Sequence, residues 1–307
     1  MFSENIKQEF VVSLDEAGER LDKELSLLYP ELSRSFFQKL IKDRQILVNG
    51  LPRKANYCVV PGDILTVSIP KAQEIDILPE DIPLDILYED EDVLVVNKPK
   101  GMVVHPSAGH YSGTLVNAVM HHCKDSLSGI NGEVRPGIVH RIDMDTTGAL
   151  IVCKNDHAHV NIAEQIKEHS VTRRYLGIAR GIIRQDEGVV DAPIGRHPTE
   201  RKRMAANVRN GKPAVTHYRV LQRFRNHTFL EFSLETGRTH QIRVHMASIG
   251  HPLLGDSVYG KGKIPWKLQG QTLHAAVIGF RHPADGRYVE VEAPLPSYFE
   301  ELLEKPL

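Results

Sequence analysis

Cysteine and tryptophan are scarce: the 307 residues include three Cys and one Trp. Cys58, Cys123 and Cys153 form no C-x-x-C pair. That argues against a disulfide framework or a thiolate zinc site and fits a reducing cytoplasm. Met1 to Glu9 carries acidic residues and no apolar core, so no signal peptide is expected. No stretch approaches the apolar length of a membrane span, and no membrane partner is expected. The 16 His include no H-E-x-x-H or other recognised ligand spacing, so no metal is expected. G-x-S-x-G is absent, which removes the nucleophilic-serine elbow. Gly255 to Gly262 nearly spells a P-loop, but Gly262 stands where the magnesium-binding hydroxyl belongs and no apolar strand immediately precedes it.

Net charge is also nearly absent, at −1 from 38 basic and 39 acidic residues. Its distribution is uneven. Lys71 to Asp92 holds nine acidic residues and one basic; Val171 to Arg225 holds thirteen basic and four acidic. A neutral protein with one basic stretch can still hold a polyanion on one face. Apolar content of 41% and charged content of 25% suit a globular protein with a proper core.

Residues 10–14 read as a short strand. Leu21, Leu25 and Leu28 follow helical spacing. A second helix is expected from about Ser35 to Asp43, with Ser35 and Gln38 at capping-box spacing. Its core face is Phe36 and Leu40, with Phe37 and Ile41; Arg34, Lys39, Lys42 and Arg44 lie on its other face. Ile46 to Val48 reads as a strand, Asn49-Gly50 as a hairpin turn, and Ile64 to Ile69 as another strand. This unit resembles the S4 RNA-binding domain through Arg20-Leu21-Asp22, Ser33-Arg34-Ser35, Leu40-Ile41, Ile46 to Gly50 and Pro61 to Leu65. The resemblance implies that Arg34, Lys39, Lys42 and Arg44 face RNA.

The expected layout is an S4-like domain over 14–72, an acidic, Pro-containing linker over 73–83, and a larger domain over 84–307. The larger domain is expected to be α+β. Strands are read at Leu84 to Tyr88, Val93 to Asn97, Ala149 to Cys153, Arg174 to Ala179, Ala214 to Leu221, His227 to Glu235 and Arg287 to Glu292. Helices are read at Thr114 to His122 and Asp156 to Glu168.

The chemistry concentrates in Gly137 to Gly148, which lies between a Pro-Gly turn and a buried apolar run. The loop offers His140, Arg141, Asp143, Asp145, Thr146 and Thr147. A carboxylate that must stay ionised needs a cation or donors beside it. Thr236 to His245, rich in guanidinium and imidazole, could supply them. A two-carboxylate glycosidase is disfavoured, because two residues of separation along one loop rarely place carboxyls on opposite faces of a sugar.

The ordered motifs Asn97-Lys98-Pro99-Lys100-Gly101, His140 to Gly148, Arg174-Tyr175-Leu176, Gly237 to His245, Gly250 to Asp256 and Leu273-His274-Ala275 resemble the RluA family of RNA pseudouridine synthases. The likeness is closest to its RluD branch and covers about residues 14–300. It implies a strand-rich catalytic domain on a mixed, mostly antiparallel sheet with a central cleft. It also implies a cofactor-free isomerase acting on a flipped-out uridine. Asp143 matches the family's essential aspartate, and Tyr175 the tyrosine that packs on the target base. Arg238 is the first choice for the aspartate's basic partner, with Arg243 the alternative. Arg141 matches the arginine that fills the gap left by the flipped nucleotide. His140, Thr147 and Arg243 are further candidates for substrate contact, while Asp145 with Thr146 and Thr147 shapes the loop. The branch points to 23S ribosomal RNA or its precursor particles, with another RNA such as tRNA, or an inactive RNA-binding protein, as alternatives. No obligate protein partner is implied.

Overall fold

The computed structural model describes residues 6–14, 17–29, 34–69, 77–106, 109–124, 126–129, 136–200, 203–260 and 268–304. The chain divides into two compact units, Met1–Glu74 and Ile75–Leu307. Among the described residues no helix is long and apolar enough to cross a membrane.

The first unit contains β1 (Ile6–Val11), α1 (Leu21–Leu28), α2 (Arg34–Lys42), β2 (Ile46–Val48) and β3 (Ile64–Ile69). The strands form an antiparallel sheet in the order β1-β3-β2. Its first strand thus lies earlier than the expected 10–14. The face of α2 turned to the core is Phe37, Leu40 and Ile41, with Phe36 only partly buried. Asn49 and Gly50 both take positive φ, as the hairpin turn requires.

The expected capping box does not form as such. Ser35 lies inside α2, and the amide of Gln38 donates to the carboxylate of Asp22 on α1. Asp22 is fully buried and also accepts from Arg20 and from Arg34, whose Nε is 3.0 Å away. Burial raises its pKa, but the bonds from Arg20, Arg34 and Gln38 outweigh burial and hold the carboxyl well below the usual range. Arg34, expected to face RNA, is therefore tied into the clamp between α1 and α2. Lys39, Lys42 and Arg44 are exposed.

The second unit runs through β4 (Ile86–Glu89), β5 (Val93–Lys98), α3 (Leu115–Cys123), β6 (Thr147–Cys153), α4 (Asp156–Lys167), β7 (Thr172–Arg180) and β8 (Glu187–Asp191). It continues through β9 (Ile194–Arg196), β10 (Met204–Ala206), β11 (Val215–Arg223), β12 (His227–Leu234), α5 (Gln241–Ser248), β13 (Leu273–Arg281), β14 (Tyr288–Glu292) and α6 (Ser297–Glu304). The main sheet is ordered β4-β5-β6-β13-β7-β12-β11-β8, with β14 also paired to β13. All its pairings are antiparallel except the short parallel contact of β6 with β13.

All seven residues of β6 are buried. Leu150 and Val152 pack with Leu94, Val96 and the α3 residues Leu115, Val116 and Val119. Ala149, Ile151 and Cys153 pack on the other face with Ala158 and Ile162 of α4. Helices on both faces explain why β6 reads as an unbroken apolar run. Gly148 has φ +108°, and a Cβ there would lie 2.2 Å from the Ala275 carbonyl oxygen. Only glycine lets β6 and β13 meet at that point.

The stretch read as a linker is packed onto the second unit where it is described. Ile77 is buried in the α3 cluster, and Asn117 of α3 donates to the Leu78 carbonyl. Residues 70–76 lie outside the described set.

The Asp22 clamp yields a test. Asp22→Ala leaves two guanidinium groups without their acceptor and is expected to destabilise the first unit by about 2–3 kcal/mol. A fall in the urea midpoint of that unit's transition checks this. Because the folded pKa is depressed, the contribution is complete above about pH 5 and is lost as pH falls through the folded value.

Candidate active site

The loop between Gly137 and β6 sits where β6, β13 and β7 adjoin, at the middle of the sheet. Its conformation is pinned from several sides. The amide of Thr146 donates to the Asp143 carbonyl, closing a turn. The Ile151 amide donates to Nε2 of His140, 2.9 Å away. That acceptor role requires a neutral imidazole, and burial, with the Arg173 charge, pushes the His140 pKa down to about 3. His140 thus braces the loop through Nε2 while its ring also lines the cavity. Thr147 is also committed: it is buried, with its hydroxyl 2.8 Å from Nδ1 of His274 and outside the cavity lining. Gln271 donates to the Thr146 hydroxyl.

A fully buried lysine, Lys98, completes the support. Its ammonium donates to the carbonyls of Pro99, Met102 and Met144, at 2.8–2.9 Å. Burial pulls its pKa down to about 7, opposed by the charges of Asp145 and Asp143.

The cavity in front of the loop has a volume of about 550 Å³. Asp143 stands in its wall with its side chain 18% exposed. Among the described lining residues it is the sole carboxylate. Asp145 does not line the cavity, so the opposed pair of carboxyls that a glycosidase needs is missing there.

Asp143 Oδ2 accepts from Nη1 of Arg243 at 2.8 Å. The same guanidinium forks onto Asp256, with Nε to Oδ2 at 2.7 Å and Nη2 to Oδ1 at 3.0 Å. Asp256 Oδ1 also accepts from the amides of Val258 and Tyr259. Burial works against the charge of Arg243, but the bond to Asp256 and the two carboxylate charges prevail and raise its pKa. Burial likewise raises the Asp256 pKa, and Arg243 with the two amides brings it below the ordinary value. Tyr259 lies under the guanidinium, its ring centroid 5.1 Å from Cζ. His240 places Nε2 3.8 Å from Asp143 Oδ1 and holds the Tyr259 hydroxyl with Nδ1.

The aspartate's basic partner in the structure is therefore Arg243 and not Arg238. The reason is local. Thr236 to His245 is not all loop: His240, in the left-handed region at φ 58°, precedes the first turn of α5. Gln241 accepts from the Arg238 amide and the Thr236 hydroxyl and donates to the Val215 carbonyl, which fixes the helix start. Arg243 on that helix reaches inward. Arg238, in the turn before it, donates its Nε to the Pro213 carbonyl and stays at the cavity wall. His245 is buried between Thr216 and the Ala192 carbonyl.

Tyr175 projects from β7 into the cavity. Burial raises its phenol pKa; Arg173 opposes this and Asp143 adds to it. Arg141 is exposed at the cavity and approaches His105 through Nη1 at 3.3 Å. Lys98, Asp256, His240, Tyr259 and Arg173 received no individual role from the sequence. Lys98, His240 and Asp256 did fall inside quoted motifs, which was the signal available.

Elsewhere, Asp90, Asp92 and His282 lie close enough to share a cation. The Asp90 oxygens already accept from Tyr88 and from the amides of Asp92 and Val93, and His282 contacts Oδ2.

Comparison with known proteins fits this geometry. A family profile for RNA pseudouridylate synthase matches residues 92–248, and one for the S4 domain matches residues 19–65. The chain belongs to the RNA pseudouridine synthase family. The enzyme is 53% identical over 296 residues to the uncharacterized RNA pseudouridine synthase YlyB of Bacillus subtilis, covering 96% of this chain and 97% of the relative. It is 48% identical to ribosomal large subunit pseudouridine synthase D of Zymomonas mobilis, covering 91% of each chain. Among solved structures it is similar to human RNA pseudouridylate synthase domain containing 1. The TM-score is 0.58 at 27% identity, covering 77% of this chain and 98% of the other. The enzyme is accordingly an RNA-directed isomerase with an S4 domain at its N-terminal side.

Lys98 gives the synthase a pH signature. With the folded pKa near 7 and the unfolded one near 10.4, the unfolded chain binds the extra proton above pH 7. Stability from this group therefore rises as pH increases, by up to about 2 kcal/mol between pH 7 and 9. Lys98→Met is expected to flatten that rise in thermal melts recorded across the range.

Proposed function

We propose that the enzyme converts uridines of large-subunit ribosomal RNA to pseudouridine, with Asp143 as the catalytic carboxylate acting on a flipped-out nucleotide. The observation that carries this reading is the Asp143 carboxylate, the sole one among the described lining residues, held by Arg243 and facing the same space as Tyr175. The substrate class rests on relatives whose names specify the ribosomal large subunit.

The reaction breaks N1–C1′, turns the detached uracil and joins C5 to C1′. N1 gains a proton and C5 loses one, so the change is neither redox nor net hydrolysis. The target base must leave its stack to reach a recessed carboxylate. Arg141, exposed at the cavity with a planar guanidinium, fills the vacated space. Tyr175 offers the flipped uracil a stacking face, worth roughly 1–3 kcal/mol in comparable contacts. Arg243 fixes one oxygen of Asp143 and so orients the other toward the sugar. With the flipped nucleotide filling the cavity, water is kept from C1′ while the base is detached. The fork of Asp256 onto Arg243 means that this geometry is set before substrate arrives.

In the first unit, exposed Lys39, Lys42 and Arg44 supply sequence-independent attraction for the RNA backbone.

Two measurements test the reading. Asp143→Asn is expected to abolish pseudouridine formation, by at least about a thousandfold, while RNA binding and the melting temperature hold. Chemical mapping of pseudouridine in treated large-subunit RNA reads the result, and near-normal turnover by the variant contradicts the assignment. Replacing Lys39, Lys42 and Arg44 together by Ala should weaken binding and make the salt dependence of log K shallower by about two units. The rate at saturating RNA should stay the same. A lower rate at saturation with unchanged affinity would place those residues elsewhere.

A further inference from the structure

Two residues before Tyr175 on β7 stands Arg173, on the same face of the strand and in the wall of the same cavity. Its neighbour Arg174 points the other way and pairs with Glu290. Arg173 is 8% exposed, and its Nε and Nη2 are buried without a hydrogen-bond partner. Among the described residues no carboxylate pairs with it. Arg243, the other buried guanidinium of the cavity, has two.

A guanidinium cannot shed its proton, and burying one without a counter-charge is costly. The cost is understandable if the counter-charge arrives with the ligand. Gly237 leaves room for the guanidinium. A Cβ on Gly237 would lie 2.8 Å from Nη1 of Arg173. Gly237 has no backbone need to be glycine, since its φ lies outside the left-handed region. Its missing side chain is what lets the guanidinium sit there. Lys167 and Arg238 line the cavity with Arg173.

We infer that Arg173 is a phosphate-binding residue: its unpaired guanidinium receives a phosphodiester flanking the flipped nucleotide, positioning the sugar against Asp143. A neutral uracil carbonyl would leave the buried charge uncompensated, whereas a phosphodiester cancels it and suits the fork of donors. This rests on the functional reading above and adds a substrate contact to it.

The test uses the full chain and a transcript of large-subunit ribosomal RNA labelled with tritium at uracil C5, which is released when C5 is joined to C1′. Arg173→Gln should raise KM at least tenfold and leave kcat within about threefold. Its plot of log kcat/KM against log salt should be shallower than the wild type's by about 0.7, the loss of one phosphate contact. Arg173→Lys keeps a point charge and should restore the slope and most of the KM. Gly237→Ala, which displaces the guanidinium without removing charge, should raise KM part of the way. It also stands in if Arg173→Gln fails to fold in thermal melts. An unchanged KM, or a loss confined to kcat with an unchanged salt slope, would overturn the phosphate role. No tritium release by the wild type would overturn the functional reading, and this inference with it.

Discussion

One guanidinium shared between two carboxylates organises the active site. Arg243 has three of its nitrogens engaged, two with Asp256 and one with Asp143, and its side chain is only 7% exposed. Burying such a group is rarely a route to stability, since desolvation offsets much of the Coulombic gain. Its value here is geometric. Asp256 is anchored by two backbone amides, Arg243 is anchored by Asp256, and the position of Asp143 follows. The Asp143 carboxylate is thus aligned from α5 and the turn after it, although it belongs to the loop before β6.

The loop itself is held from beneath. Lys98 gathers three carbonyls, His140 accepts the Ile151 amide, and the glycine at 148 lets β13 come alongside β6. Two anchored sides and one open cavity make a site with little reorganisation left to do when RNA enters. The S4 unit contributes charge on an exposed helix face and spends Arg34 on its own integrity.

Much of this was legible in the chain. The run Ala149 to Cys153 announced a buried strand, and the polar groups before it announced a site, because a fully covered strand and a catalytic loop leave local marks. Asp143 was separated from Asp145 only by its match to the family's essential aspartate. Arg238 was preferred to Arg243 as the partner of Asp143, and the structure reverses the order; both follow Gly237 within one short segment, so spacing does not separate them. The left-handed turn at His240 and the cap formed by Gln241 decide which guanidinium enters the cavity. β13, buried along Leu273 to Phe280 as β6 is, was not read as a strand; His274 interrupts its apolar run. Asp256 and Arg173 acquire meaning only from what the fold sets beside them, or fails to.

The most direct test of the shared guanidinium is kcat for Arg243→Lys. Lysine keeps the positive charge but cannot bond both carboxylates in the fork geometry. If Arg243 aligns Asp143, kcat falls by at least about a hundredfold with KM little changed. A variant with near-normal kcat would mean that charge alone suffices, and would contradict the alignment described here.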